Sequence, residues 1–414
     1  MSRALVANVL NDVMAECPIA PYRAAMASVT PRKLWIARPG DCVVLTAPYD
    51  DEFRAYVESV RDMSLADVDV VQPAELYTGH VLDLVNDFGV ASRVTNHDEL
   101  MPFVLDERML RFSVDHRMGV SGYQSVPGKR VVDLIRALNT KRGFRDVATN
   151  LGLKVADGGH AQTVPSLIGS VQDFLRDHEN VIVKRNRSSN GWGNVVVGQE
   201  FKADVSAALE GLLSTEDGCR EEGWIFEEFL DFESLPSMEL VVDESGPRRL
   251  YSCGQRSVNN AWTGMVTPFD GVSDVAPLWL AADKLGGFLW RSGFRGVFDL
   301  DGGLVDGEYY VTEANVRRTG GTYLHELVSD LMQDSACMHW RADVRPGRND
   351  LSFSEACKLL EDEGLGPTRG ANANGAILTV NTRWLDGKWR YLVYASTPRQ
   401  AAAIETQVVD ILGI

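Results

Sequence analysis

The stretch Glu308 to Thr322, EYYVTEANVRRTGGT, constrains this chain more than any other. Its first half is rich in aromatic and β-branched residues, which predicts a strand. Side chains two apart on a strand share a face, so Glu313 and Asn315 project together, with Arg317 following if the strand extends. A carboxylate beside an amide oxygen suits a hard cation such as Mg²⁺, which takes oxygen ligands and usually bridges substrate phosphates. A nearby arginine suits an anionic substrate or a developing negative charge. A strand end breaking into a polar turn would leave the same pattern, so the stretch needs partners elsewhere in the chain.

Asp299 supplies one. It lies in GVFDLD, a strand-like run just upstream. With Glu313 and Asn315 it completes a three-ligand oxygen set on two strands, joined by the expected short loop Asp301 to Gly307. Adjacent strands of a hairpin bring facing side chains within a few ångströms.

The chain has 414 residues, enough for two or three domains at roughly 100–200 residues each. Its charge is acidic, 41 − 58 = −17. That disfavours nucleic acid or an anionic membrane as the main partner. The six cysteines and seven histidines are scattered, with no CxxC, which speaks against zinc or a disulfide framework. The start, MSRALVANVLNDVMAECPIAPYR, makes a poor signal peptide, and no apolar run approaches the ~20 residues of a membrane helix. A cytoplasmic protein is expected. The sequence leaves a homodimer open.

Residues 1–30 read as a helical entry segment. Cys42 to Ala47 reads as a buried strand, Asp51 to Met63 as an amphipathic helix with an acidic start, and Val68 to Val71 as a second strand. Strands alternating with helices predict a small parallel α/β unit over residues 1–138. No GxGxxG follows its first strand. Val131 to Asn139, Asn139 to Gly152, Ser170 to Asp177 and Ala203 to Leu213 read as helices. Val181 to Lys184 and Val195 to Val197 form a predicted hairpin. Trp224 to Leu230, Glu239 to Val242, Leu250 to Gly254, Gly296 to Leu300 and Tyr309 to Asn315 are further strands, which predicts an α+β region. The reading divides it into 139–230 and 231–342. A small α/β appendage, 343–414, closes the chain.

Lys184 ends an apolar strand and precedes RNRSSNGWGN. Ser189, Asn190, Gly191 and Gly193 belong to this loop. Its glycines let backbone N–H groups approach anionic oxygens, and the lysine adds a point charge. A plain hairpin with a flexible turn fits the same residues. Lys141 sits on the helix before the hairpin. The run Glu227-Glu228-Phe229-Leu230 ends a strand and exposes backbone groups to which a planar base could bond while resting on apolar side chains. Arg256, in GQRSVNN, could meet a carboxylate. There is no Walker A motif and no GxSxG elbow.

In this order the parts resemble the ATP-grasp ligases over roughly residues 139–325: Lys141 before a β-hairpin, the strand–Lys–glycine loop, FEEFL, Asp299 on a strand, and Glu313-x-Asn315. The resemblance implies an ATP-grasp fold behind an N-terminal pre-ATP-grasp α/β domain. It implies ATP between two subdomains, with Lys141 and Lys184 on phosphates and the backbone of Glu227 and Leu230 on adenine. Glu239, or else Glu233, would hold the ribose. Asp299, Glu313 and Asn315 would hold two Mg²⁺ ions. The whole layout, with NTKRGFRDVA, EANVRRTGGT and NTRWLDGKWRYLVYAS, resembles the pheganomycin-type peptide ligases. These join the carboxylate of a nonproteinogenic amino acid to the amine of an amino acid or peptide in antibiotic biosynthesis. Many relatives of the D-alanine–D-alanine type carry an arginine two residues before the metal-binding Asp. Here that position is Val297, so the oxyanion role would pass to Arg317, Arg318, Arg295 or Arg256.

Overall fold

The computed structural model describes residues 2–15, 19–188, 193–213, 223–258, 261–333 and 338–414. Among them the strands form three sheets that follow one another along the chain.

The first sheet is parallel and comprises β1 (Arg3–Val6), β2 (Cys42–Val44), β3 (Asp69–Val71), β4 (Glu99–Pro102) and β5 (Gly119–Val120), in the order β3-β2-β1-β4-β5. The expected α/β alternation is present, but the entry segment differs from expectation. Arg3–Val6 is the central strand, and helix begins only at Ala20. A strand buried on both faces reads as a continuous apolar run, which periodicity cannot tell from a buried helix.

The second sheet is antiparallel: β6 (Gly158–Ala161), β7 (Asn180–Arg185), β8 (Asn194–Gly198) and β9 (Trp224–Glu228), ordered β6-β9-β7-β8. Its apolar side has a core of its own, including Leu167, Val171, Val181, Val183 and Trp224. The expected hairpin is β7–β8.

The third sheet comprises β10 (Pro236–Asp243), β11 (Gly246–Val258), β12 (Ala261–Thr267), β13 (Gly296–Val305), β14 (Glu308–Asn315), β15 (His339–Pro346), β16 (Gly375–Leu378) and β17 (Lys388–Ala395). They run β14-β13-β10-β11-β12-β15-β17-β16, with antiparallel pairing throughout. The expected boundary at 342/343 falls inside β15, and the terminal strands extend this sheet instead of forming one of their own. Two shared cores run from the first domain into this sheet. Trp35, fully buried, donates its indole N–H to the carbonyl of Thr379 at 2.7 Å.

The hairpin β13–β14 also departs from expectation. No loop spans Asp301 to Gly307; the strand runs to Val305, and Asp306-Gly307, both at positive φ, make the turn. Two central residues at positive φ are what a tight hairpin turn requires. Gly303 stays in the strand because a Cβ there would lie 2.1 Å from the Phe232 ring. The pairing slips between Asp301 and Gly302. Such irregularities bend a strand and re-aim its side chains.

Candidate functional site

One cavity, of about 570 Å³, lies between the second and third sheets and is walled on one side by the first domain. Its acidic floor comes from β13 and β14. Asp299 pairs in register with Asn315, and Asp301 with Glu313. Directly opposed residues of an antiparallel pair share a face, and so do residues two apart. All four side chains therefore line the cavity.

The fourth member, Asp301, was missed by the sequence reading, which assigned it to a loop. The D-x-D spacing of Asp299 and Asp301 was the available signal. Gln255 Nε2 donates to Asp301 Oδ1 at 2.8 Å, and Asn315 Nδ2 donates to Oδ2 at 3.2 Å. Asp299 Oδ1 instead accepts the backbone N–H of Asn315 at 3.0 Å. Burial, and then Glu313, push Asp301 up to about 7. Burial, and then Asp301, push Asp299 well above the carboxylate range.

Among the described residues no three acids stand close enough to enclose an ion as they are. The donor set nevertheless fits Mg²⁺. It offers oxygen ligands on one face, open to a cavity wide enough for phosphates, with a surplus of buried negative charge that a cation would relieve.

Cations stand around this floor. Thr140 caps the helix Lys141–Asn150, its hydroxyl accepting the N–H of Gly143 at 3.0 Å, and so fixes Lys141 at the helix start. Lys141 Nζ lies 3.6 Å from Glu313 Oε2 and donates to the carbonyl and hydroxyl of Ser188, both at 3.2 Å. Burial, opposed by Glu313, lowers its pKa. Lys184 donates to Glu227 Oε2 at 2.6 Å, and Arg145 to Glu227 Oε1 at 2.8 Å. Burial alone would raise Glu227, but Lys184 and then Arg145 outweigh it and hold the carboxyl below its usual range. Beyond Glu227, Glu228, Phe229 and Leu230 continue along the cavity wall. Arg317 also faces the cavity, its guanidinium bonded to Asn315 Oδ1 and to the carbonyl of Arg318.

Other expected site residues are placed elsewhere. Glu239 is fully buried, is not part of the cavity wall, and accepts from Tyr251 Oη at 2.7 Å and Thr319 Oγ1 at 2.9 Å. Its register partner is Asp299, so it shares the face of the acidic floor, where Tyr251 and Thr319 hold its carboxylate. Arg256 does not line the cavity either. It alternates with Gln255 and Ser257 along β11, and it is bound to Asp343 at 3.1 Å and to Glu405 at 2.9 Å. A guanidinium held by two carboxylates has little charge left for an oxyanion. Arg318 turns away to Glu326, and its backbone N–H reaches the carbonyl of Phe103. Ser189, Asn190 and Gly191 lie outside the described residues. Gly193 is described, at φ +76°, where a Cβ would meet Arg185 at 2.8 Å.

Three such sheets, with the cavity between the second and third, define an ATP-grasp fold behind an N-terminal pre-ATP-grasp domain. Residues 30–118 match the Pre ATP-grasp domain family. No curated protein matches the sequence. Among solved structures, the chain is similar to biotin carboxylase from Campylobacter jejuni in its β,γ-ATP complex (12% identity, TM-score 0.64, covering 99% of this chain and 91% of that one). It is similar to the ADP complex of an N5-carboxyaminoimidazole ribonucleotide synthetase (14%, 0.61, 100% and 98%). It is also similar to L-amino acid ligase from Bacillus licheniformis (12%, 0.58, 99% and 97%). Among the described residues no helix is long and apolar enough to cross a membrane.

Proposed function

We propose that this chain is an ATP-dependent, ADP-forming ligase that joins a carboxylate to an amine as an amide, with an amino acid or short peptide as the amine. The observation that carries the reading is the single cavity in which Lys141 and Lys184, the four oxygen-bearing side chains of β13–β14, and Arg317 face one space. The ATP-grasp fold and the likeness to the amino acid ligase support it.

In this reading Lys184 and Lys141 bind the phosphates, and the Glu227–Leu230 run carries the adenine. Asp301, Glu313 and Asn315 hold Mg²⁺, two ions in this reading, with Asp299 on the same face orienting Asn315 through its backbone N–H. When bound, Mg²⁺ offsets charge on the phosphate oxygens. A carboxylate oxygen of the first substrate attacks the γ-phosphorus. The new O–P bond forms as the bond to the bridging oxygen breaks, giving an acyl phosphate and ADP. Positioning and electrostatics do most of such a transfer. The amine nitrogen then attacks the acyl carbon, the C–N bond forms, phosphate leaves and the nitrogen loses its proton. In this reading Arg317, on the cavity wall, offsets the oxyanion of that second step. The second sheet, with its separate core and glycine-containing hairpin, is the element suited to close and exclude water from the acyl phosphate. Within this class the sequence layout favours the pheganomycin-type peptide ligases.

Product analysis tests the reading. ADP release that requires both an acid and an amine, with an amide formed in equal amount, supports it. ADP release that requires bicarbonate but no organic acid would instead make the chain a carboxylase, the reading that the two carboxylating relatives favour.

A further inference from the structure

The end of the cavity formed by the first domain has a different character from its acidic floor. Met14, Met26, Val29 and Phe103 line it from the first domain, with Tyr323 opposite. Arg32 stands among them, its guanidinium 4.9 Å from the centre of the Tyr323 ring. Among the described residues no carboxylate is paired with Arg32.

Its neighbours add to the positive charge. Lys33 is buried, with Nζ 4.8 Å from the centre of the Phe103 ring, and Arg317 lies 5.8 Å from the same ring. Arg318 lies behind them, bound to Glu326. Burial, and then Arg318 and Arg32, lower Lys33 well below the usual lysine range. Of these groups Arg32 and Arg317 line the cavity, Arg317 turned toward the acidic floor, so Arg32 is the cation that faces this end in a protein of net charge −17. Unpaired charge held away from water is costly, and aromatic faces compensate only in part.

We propose that Arg32 seats the carboxylate of the amine-bearing substrate, an amino acid or peptide end whose apolar side chain lies against Met14, Met26 and Val29. This rests on the ligase reading. The chemistry chooses between the two substrates. The reacting carboxylate becomes an acyl phosphate and must lie among the phosphate-binding groups. The amine substrate's own carboxylate stays charged from binding to release, and so needs a cation that takes no part in the transfer. A guanidinium provides two donors in a plane that matches a carboxylate.

The test is calorimetric titration of L-leucine, L-methionine and L-phenylalanine, and of their amides, into wild-type protein, Arg32→Gln and Arg32→Lys, with ATP·Mg²⁺ titrated separately. The expected result is that at least one free acid binds wild type. Arg32→Gln weakens it about tenfold or more, a loss of ~1.4 kcal/mol or more, and Arg32→Lys restores part of the affinity. The amides bind weakly and equally to wild type and Arg32→Gln, and ATP affinity stays within twofold. Equal binding of the free acid to wild type and Arg32→Gln, or no binding of any of the three acids to wild type, overturns the proposal. Arg32-dependent binding of an acid in a protein that fails to bind ATP would support the subsite and overturn the ligase reading alone.

Discussion

Asp301 stands directly across the β13–β14 hairpin from Glu313, and its two oxygens are held by Gln255 and Asn315. Asp299, two residues earlier on the same face, is tied to a backbone amide instead. The two aspartates therefore have different expected roles. Asp301→Asn should lower kcat for ADP release by about 100-fold, the scale of losing one electrostatic contact at a reacting phosphoryl group, and should raise the Mg²⁺ concentration needed for half activity. Asp299→Ala should show mainly in stability, by about 1–3 kcal/mol, because it leaves the half-buried backbone N–H of Asn315 without its acceptor. Mg²⁺ titration of the initial rate and denaturant unfolding separate the two. Equal rate losses with no change in stability would argue against this division.

Glu227, on the small sheet, bridges Lys184 of the same sheet and Arg145 of the helix Lys141–Asn150. Removing one member of a buried ion network leaves the others uncompensated, so Glu227→Ala should destabilise by about 3 kcal/mol. Lys184→Ala should raise the KM for ATP more than the KM for the carboxylate. An unchanged ATP KM would remove Lys184 from the phosphate site.

Glu405, on the C-terminal helix, receives Arg256 and Arg341 from the third sheet and is held down to about 2. Burial alone would raise it, and the two guanidiniums outweigh burial. Because the folded value lies below the ordinary 4.5, its contribution is fully present above pH 4.5 and is lost as pH falls toward 2. The contribution is of order 3 kcal/mol. Urea midpoints measured across this range should fall steeply for wild type and less for Glu405→Gln, which starts lower. Parallel curves would contradict the assignment.

Gly321 lies where a Cβ would come within 2.1 Å of Tyr251 Oη, the hydroxyl that donates to buried Glu239. Gly321→Ala should cost about 1–3 kcal/mol through overpacking. Gly320→Ala, whose Cβ would meet only Trp262 at 3.7 Å, is the control and should be near neutral. Thermal melts of the two variants check this; equal melting temperatures would show that Tyr251 yields without penalty.

Much of the architecture was legible because its signals are local. The acidic start of Asp51–Arg61, the helix ending in Asn150 and the hairpin around Lys184 each follow from periodicity and end chemistry. The third sheet was legible only in part. The β12–β15 pairing joins residues far apart in the chain, and no local pattern announces it. Arg3–Val6 was misread because a central parallel strand carries no alternation. Asp301 was missed because Gly302 and Gly303 look like a loop, when they are small to admit Phe232 and the tyrosines of β14. Arg256 and Glu239 were attractive as charged residues near the right motifs, but their partners, Glu405 and Tyr251 among them, come from tertiary contacts. Arg32 drew no notice, since an isolated arginine after a short helix carries no pattern of its own.

The most direct measurement is mass spectrometry of the full-length protein incubated with ATP·Mg²⁺ and a panel of amino acids and short peptides, with ADP followed in the same reactions. The ligase reading predicts an amide product equimolar with ADP for particular acid–amine pairs, lost in Asp301→Asn. A phosphorylated acid that accumulates whatever the amine, or a product that carries only bicarbonate carbon, would contradict it.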